Sequence, residues 1–274
     1  MTKEKFLERG RQFIELGKYK DAIKFYTKAL ALDPKFSKAY NMRGVAYSYL
    51  DDNEQAIYNY SRAIEFEPND PEFYNNRGLC FIAVKNYARA IADFDKAIEL
   101  KPQCEDYYIN RGSVYRELKD YKRAMNDFNA AVELKPNYTM PYYHRGELYM
   151  TLKNFPAAIE DFDAAIKIHE FFFEARQLRA IAYYLLREYA RAIEDFDKIL
   201  VINVNDAVSY FYRGLSHYRL ENFKQATEDF TSAAYFYPDY AELYKYRAMA
   251  YELLGDEAHS IADARKATEL EKNS

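Results

Sequence analysis

The sequence predicts an all-α chain, a solenoid of antiparallel helical hairpins. Three observations carry this reading. The 274 residues repeat with a period of 34, without insertion or deletion, from Lys3 to Ser274. Self-similarity at a fixed period of this size marks stacked arrays. Within a period, apolar residues recur at helical spacing in two runs. Tyr74, Leu79, Phe81 and Ile82 form one, Ile91, Phe94, Ala97 and Ile98 the other, and the polar turn Lys85-Asn86 separates them. Finally, small and aromatic residues return in register through all eight periods.

The register holds position by position. The eighth residue of each unit is Gly10, Gly44, Gly78, Gly112, Gly146, Ala180, Gly214 and Ala248. The twentieth is Ala in seven units and Ser260 in the last. The twenty-fourth is Tyr26, Tyr60, Phe94, Phe128, Phe162, Phe196, Phe230 and Ala264. Gly and Ala remove side-chain bulk where two helices cross, and the aromatic rings fill the flanking volume. Pro34, Pro68, Pro102, Pro136 and Pro238 stop the second helix, since Pro cannot continue it. One hairpin cannot bury its apolar face alone, so the units stack.

Taken in order, the units are 3–36, 37–70, 71–104, 105–138, 139–172, 173–206, 207–240 and 241–274. Units two to four are the most regular. Pro71, Pro141 and Pro156 fall in first turns of helices, where no intrahelical donor is lost. The pattern breaks around 166–210. Glu170 and Val204 replace Pro, and unit six carries Arg176 for the aromatic fourth residue, Ala180 for Gly and Ile199 for Ala. A bulkier residue at a close crossing predicts an altered angle between neighbouring units there. The last unit has Ser260 and Ala264 in its second helix, which suits an end helix.

This small–aromatic–Ala–aromatic–Ala–Pro order at a 34-residue period resembles the tetratricopeptide repeat. The resemblance spans nearly the whole chain. It implies a right-handed superhelix whose concave groove is lined by the first (A) helices, and a scaffold or adaptor that binds a protein or peptide there. Carried onto this sequence, units two to four offer Lys38, Asn41, Ser48, Glu72, Asn75, Asp106, Ser113 and Arg116 to the groove. Units five to eight offer Tyr143, Glu147, Met150, Gln177, Ile181, Tyr184, Phe211, Leu215, Tyr218, Lys245 and Met249. The first set is polar and the second aromatic and aliphatic, so binding energy is expected in the C-terminal half. A carboxylate-clamp subfamily needs Lys and Asn, then Asn, then Lys and Arg on successive A helices. Placing Asn76 or Asn110 as the middle Asn supplies no cations around it, so that clamp is not expected.

Composition narrows the alternatives. A net charge of −4 argues against nucleic acid as a main partner. No apolar run is long enough to cross a bilayer, and Met1-Thr2-Lys3-Glu4-Lys5 leads straight into the first helix, so membrane insertion and a signal peptide are not expected. With only Cys80 and Cys104, a disulfide framework is not expected either, and a cytoplasmic location is the default. Of the 48 Phe and Tyr residues, 27 occupy four repeat positions, so the aromatic content is structural rather than a base-stacking or cofactor device. His144, His169, His217 and His259 belong to four different units, and the Asp-Phe-Asp triplets at 93–95, 161–163 and 195–197 diverge on a helix. No metal, cofactor or catalytic constellation is expected, and an enzyme is not predicted. Arg at the seventh position of all eight units and Asp at the twenty-third of six predict half-buried pairs along the helix seams. A second functional reading is self-assembly into a homo-oligomer through the first unit, where Phe6, Phe13 or Phe25 would meet another copy.

Overall fold

The computed structural model describes residues 1–272 and forms two compact units, Met1–Pro136 and the residues from Asn137 onward. The described residues form sixteen α-helices in consecutive hairpin pairs and no strand. In the N-terminal unit the hairpins are α1 (Lys3–Glu15) with α2 (Tyr19–Leu32), α3 (Ser37–Ser48) with α4 (Asn53–Phe66), α5 (Pro71–Ala83) with α6 (Tyr87–Leu100), and α7 (Glu105–Glu117) with α8 (Tyr121–Leu134). In the C-terminal unit they are α9 (Thr139–Thr151) with α10 (Phe155–Ile168), α11 (Phe173–Leu185) with α12 (Tyr189–Leu200), α13 (Ala207–Arg219) with α14 (Phe223–Phe236), and α15 (Ala241–Leu253) with α16 (Glu257–Lys272). Odd-numbered helices are the A helices of the repeat and even-numbered ones the B helices.

The turn inside each hairpin has one geometry. Lys119 sits in the left-handed region at φ 60°, and Asp120 N–H reaches back to the Tyr115 carbonyl at 2.8 Å. This closes the A helix with the bond pattern usual for glycine. Gly17 and Gly255 supply that position in two hairpins, and Asp51, Lys85, Lys119, Lys153, Arg187 and Glu221 accept the strain in the rest. The next residue often caps the B helix. Asp120 accepts from Arg123 N–H at 3.1 Å, and Asn86 from Arg89 N–H at 3.3 Å.

At the helix crossing, a Cβ on Gly78 would stand 2.7 Å from the Phe94 ring, and one on Gly214 2.8 Å from the Phe230 ring. In the six hairpins with glycine at this position, the aromatic of the B helix therefore occupies the space a side chain would need. Phe94, Phe128, Phe162, Phe196 and Phe230 are fully buried on that contact.

The seams are stapled by the repeated arginines. Arg111 donates through Nε and Nη2 to the Asp127 carboxylate of its own hairpin, at 2.9 and 2.7 Å, and through Nη1 to Asp95 of the preceding B helix at 2.6 Å. Arg213 does the same with Asp229 at 2.9 and 2.6 Å and with Asp197 at 2.6 Å. The Asp-Phe-Asp triplet thus serves two neighbours, one carboxylate to each side of its buried Phe. Burial pushes the Asp127 and Asp229 carboxyls above their ordinary value, and the arginines pull them back only in part. Arg43 departs from the pattern and donates to the neutral Asn59 at 2.8 Å.

The break around residues 166–210 has a local form. Helix α12 has 12 residues where α10 and α14 have 14, and Ile199 is buried in its last turn. Arg176 is buried and donates to the Glu170 carbonyl at 2.8 Å. Tyr74 and Tyr244, at the same repeat position, donate to the Pro68 and Pro238 carbonyls at 3.0 and 2.9 Å. Arginine keeps the tyrosine's hydrogen bond while changing the side chain.

Candidate functional site

The A helices place the expected groove residues in two different settings. In the N-terminal unit, Asn41 is buried and accepts from Asn76 at 3.2 Å, and half-buried Asn75 accepts from Asn110 at 2.8 Å. Successive A helices are thus linked by an asparagine pair, which uses part of the hydrogen-bonding capacity a ligand would need. Arg116 is half-buried on α7.

In the C-terminal unit the aromatic residues pack chiefly on one another. Tyr143 lies against Phe172, centroids 5.0 Å apart, and Met150 and Ile181 are half-buried beside the core around Tyr183 and Phe196. Tyr184 meets Tyr189 and Tyr212, each at 5.7 Å. Tyr218 meets Phe223 at 5.6 Å and Tyr246 at 6.1 Å. Phe211 and Leu215 are buried, at 8 % and 4 % exposure, with Phe211 covered by Tyr240 at the end of its own repeat and by Tyr246 of the following one. Sequence reasoning offered both as groove anchors; in the fold they are core side chains. Met249 is exposed.

Two hollows lie on these faces. One, of about 330 Å³, is lined by Val45, Ser48, Tyr49, Asn53, Tyr60, Asn76, Leu79 and Cys80. It exists because two filling residues are missing. Where α3 and α4 carry Ser48 and Asn53, the equivalent residues of α13 and α14 are Tyr218 and Phe223, whose rings touch. Ser48 Oγ lies 3.2 Å from Cys80 Sγ and 3.3 Å from Tyr60 Oη. Burial pushes the Cys80 thiol up, which keeps it protonated and unreactive.

The second hollow, about 160 Å³, lies between α13, α14 and α15. Ala207, Val208, Phe211, Tyr212, Ala233, Tyr237, Tyr240 and Leu243 line it. It opens on the edge formed by the loops leading into α11, α13 and α15; the first two fall in the 166–210 break, which sequence reasoning tied to an altered helix angle and not to an exposed apolar edge. Phe171, Val201, Ile202, Val204, Tyr235 and Tyr237 are all more than half exposed there. The available signal was the loss of the Asp/Glu/Lys-Pro loop chemistry after α10 and α12.

His144 Nδ1 lies 2.9 Å from Glu147 and His259 Nδ1 2.7 Å from Asp256, each within one turn of its own helix. Among the described residues no group of three or more His, Cys, Asp or Glu side chains is arranged to hold a metal ion, and no helix is long and apolar enough to cross a membrane.

Comparison with known proteins follows this geometry. Models described as tetratricopeptide repeat match residues 71–104 and 143–207, and one described as TPR repeat matches 10–51, 48–84 and 112–153. No curated protein matches the chain. Among solved structures, a tetratricopeptide repeat protein from Parabacteroides merdae aligns over 90 % of this chain and 98 % of its own, with 18 % identity and a TM-score of 0.65. PilW, titled a widely conserved type IV pilus biogenesis factor, aligns over 73 % of this chain and 93 % of its own, with 20 % identity and a TM-score of 0.67. YrrB, titled a TPR protein with an unusual peptide-binding site, aligns over 62 % and 88 %, with 21 % identity and a TM-score of 0.51. These likenesses are of fold.

Proposed function

Because the chain belongs to the tetratricopeptide repeat family, we propose that it is a non-enzymatic scaffold or adaptor that binds a peptide or partner helix along its A helices, chiefly those of the C-terminal unit. The observation that supports this most is the half-buried and exposed apolar set Met150, Ile181, Tyr184, Tyr218 and Met249 on α9, α11, α13 and α15. A set of this kind gives a ligand apolar area to cover, and aromatic anchors with a dry surround dominate such interfaces. Asn75, Arg116 and Tyr143 supply direction and register, with Asn41 buried behind them on Asn76. The reading excludes nucleic acid as a main partner on charge and needs no cofactor. A cytoplasmic location fits this role.

The test replaces surface groove residues in pairs. Ile181→Asp with Met249→Asp should weaken binding of a display-selected peptide by tenfold or more, while Asn75→Ala with Arg116→Ala should change it only a few-fold. Both variants must melt cooperatively near the parent temperature. Loss with the second pair and retention with the first would put the site in the N-terminal unit.

A further inference from the structure

We propose that the hollow between α13, α14 and α15 is an anchor pocket for one Phe-sized side chain of a cationic partner segment. The inference rests on the scaffold reading above and names the partner's chemistry. The volume sets the size of the anchor. About 160 Å³ with an apolar lining is close to the roughly 150 Å³ cavity known to hold one benzene ring. Small residues make the room, since Ala207 and Ala233 form part of the wall, and Ala233 is fully covered. Tyr237 and Tyr240, stacked with centroids 5.7 Å apart, and Val208, 45 % exposed, border the opening.

Charge sets the flanks. Residues 201–211 and 235–244, which build this edge, include Asp206, Asp239 and Glu242 and no Lys or Arg; Lys245, the next residue, lies within electrostatic reach of Glu242 but is bonded to Glu271, so the rim charge rests chiefly on Asp206 and Asp239. Asp206 is held by Ser209 Oγ and Gln177 Nε2, both at 2.6 Å, and Glu242 accepts from Tyr240 Oη at 2.7 Å. All three partners are neutral, so the negative charge at the rim is not cancelled by these bonds. On the corresponding edge of the N-terminal unit two carboxylates are paired with cations, Lys3 on Asp33 and Lys135 on Glu105, each at 2.5 Å, while Glu67 accepts from neutral Ser37 at 2.6 Å. An apolar pocket ringed by carboxylates selects an apolar anchor flanked by Lys or Arg, and its attraction falls with salt.

The experiment uses the full chain and a short labelled peptide with one Phe flanked on each side by two Lys, followed by fluorescence anisotropy. Replacing the peptide's Phe by Ala, or its Lys by Glu, should weaken binding at least tenfold. So should Val208→Lys, which closes the opening with a like charge, and Asp239→Lys, which reverses the rim. Both protein changes are at exposed side chains, and a melting curve checks the fold. No binding of the Lys-flanked peptide, equal binding of the Glu-flanked one, or unchanged binding by Val208→Lys and Asp239→Lys would overturn the proposal. If Ile181→Asp with Met249→Asp abolishes binding and the pocket changes do not, the groove reading stands and the pocket falls. The opposite pattern keeps the pocket and removes the groove.

Discussion

The loop after α2 reads Asp33-Pro34-Lys35-Phe36, and the loop after α12 reads Val201-Ile202-Asn203-Val204. The first belongs to a unit whose edge carries the Lys3–Asp33 and Lys135–Glu105 ion pairs beside an exposed Leu32. The second belongs to a unit whose edge exposes Val201 at 80 % and Tyr235 at 82 %. Beneath these edges the two units are built alike. Arg111 and Arg213 make the same three hydrogen bonds, and Gly78 and Gly214 meet the same ring. The difference teaches where a repeat protein is free to vary. Crossings and seams are fixed by the need to stack, while loops and A-helix faces are released from it, so the C-terminal unit's apolar surface asks for a partner rather than for a packing reason.

The sharpest test of the shared frame is the staple. Arg111→Leu and Arg213→Leu each strand a buried carboxylate, Asp127 or Asp229, and should destabilise by about 3 kcal/mol. Arg43→Leu, facing neutral Asn59, should lose only about 1 kcal/mol. Denaturant melts of the three variants measure this. A large gap between the Arg111 and Arg213 variants would show that the units do not share one frame.

The hollow at Ser48 and Asn53 gives a smaller effect. Ser48→Met with Asn53→Tyr restores side chains of the kind that fill the other seams and should stabilise by about 1 kcal/mol, since the space is open to water. Phe223→Asn in the C-terminal unit should do the reverse and cost about 2 kcal/mol or more, because it hollows a filled seam. A destabilised double variant would mean that the N-terminal hollow is a packed feature and the comparison of seams is wrong.

The smallest effect is a pH dependence confined to one unit. His217 stands where the N-terminal unit has Tyr115, and its Nδ1 is buried without a hydrogen-bond partner among the described residues. Burial holds the imidazole below its ordinary value, which is near 6.5 unfolded. The unfolded chain therefore takes up a proton that the folded one resists. Stability from this group is present above about pH 6.5 and is lost as pH falls below it. His217→Tyr should flatten the fall in melting temperature between about pH 7.5 and 5.5. An unchanged slope would assign that acid sensitivity to other groups.

Much of the frame was legible in the sequence because stacking forces it into every period. The Gly–aromatic crossing, the Arg–Asp seam and all eight hairpins follow from residues that recur. The surfaces were less legible. Burial of Phe211 depends on Tyr240 and Tyr246, which lie 29 and 35 residues away and reach it only after the next hairpin docks. The hollow at Ser48 could be seen only by asking which filling residue was missing. Arg176 looked like a defect, yet it keeps the hydrogen bond of the tyrosine it replaces. The turn at Lys85-Asn86 was legible from its polarity, but the left-handed backbone at Lys85 and Lys119 was not, because the glycine that usually marks it is absent.

The claim that binding belongs to the C-terminal unit meets its most direct test in hydrogen exchange. The full chain is measured free and saturated with the tightest peptide selected by display. The account predicts slowed exchange in α11, α13 and α15 and in the loops entering α13 and α15, with α3, α5 and α7 unchanged. Protection confined to α3, α5 and α7 would contradict it.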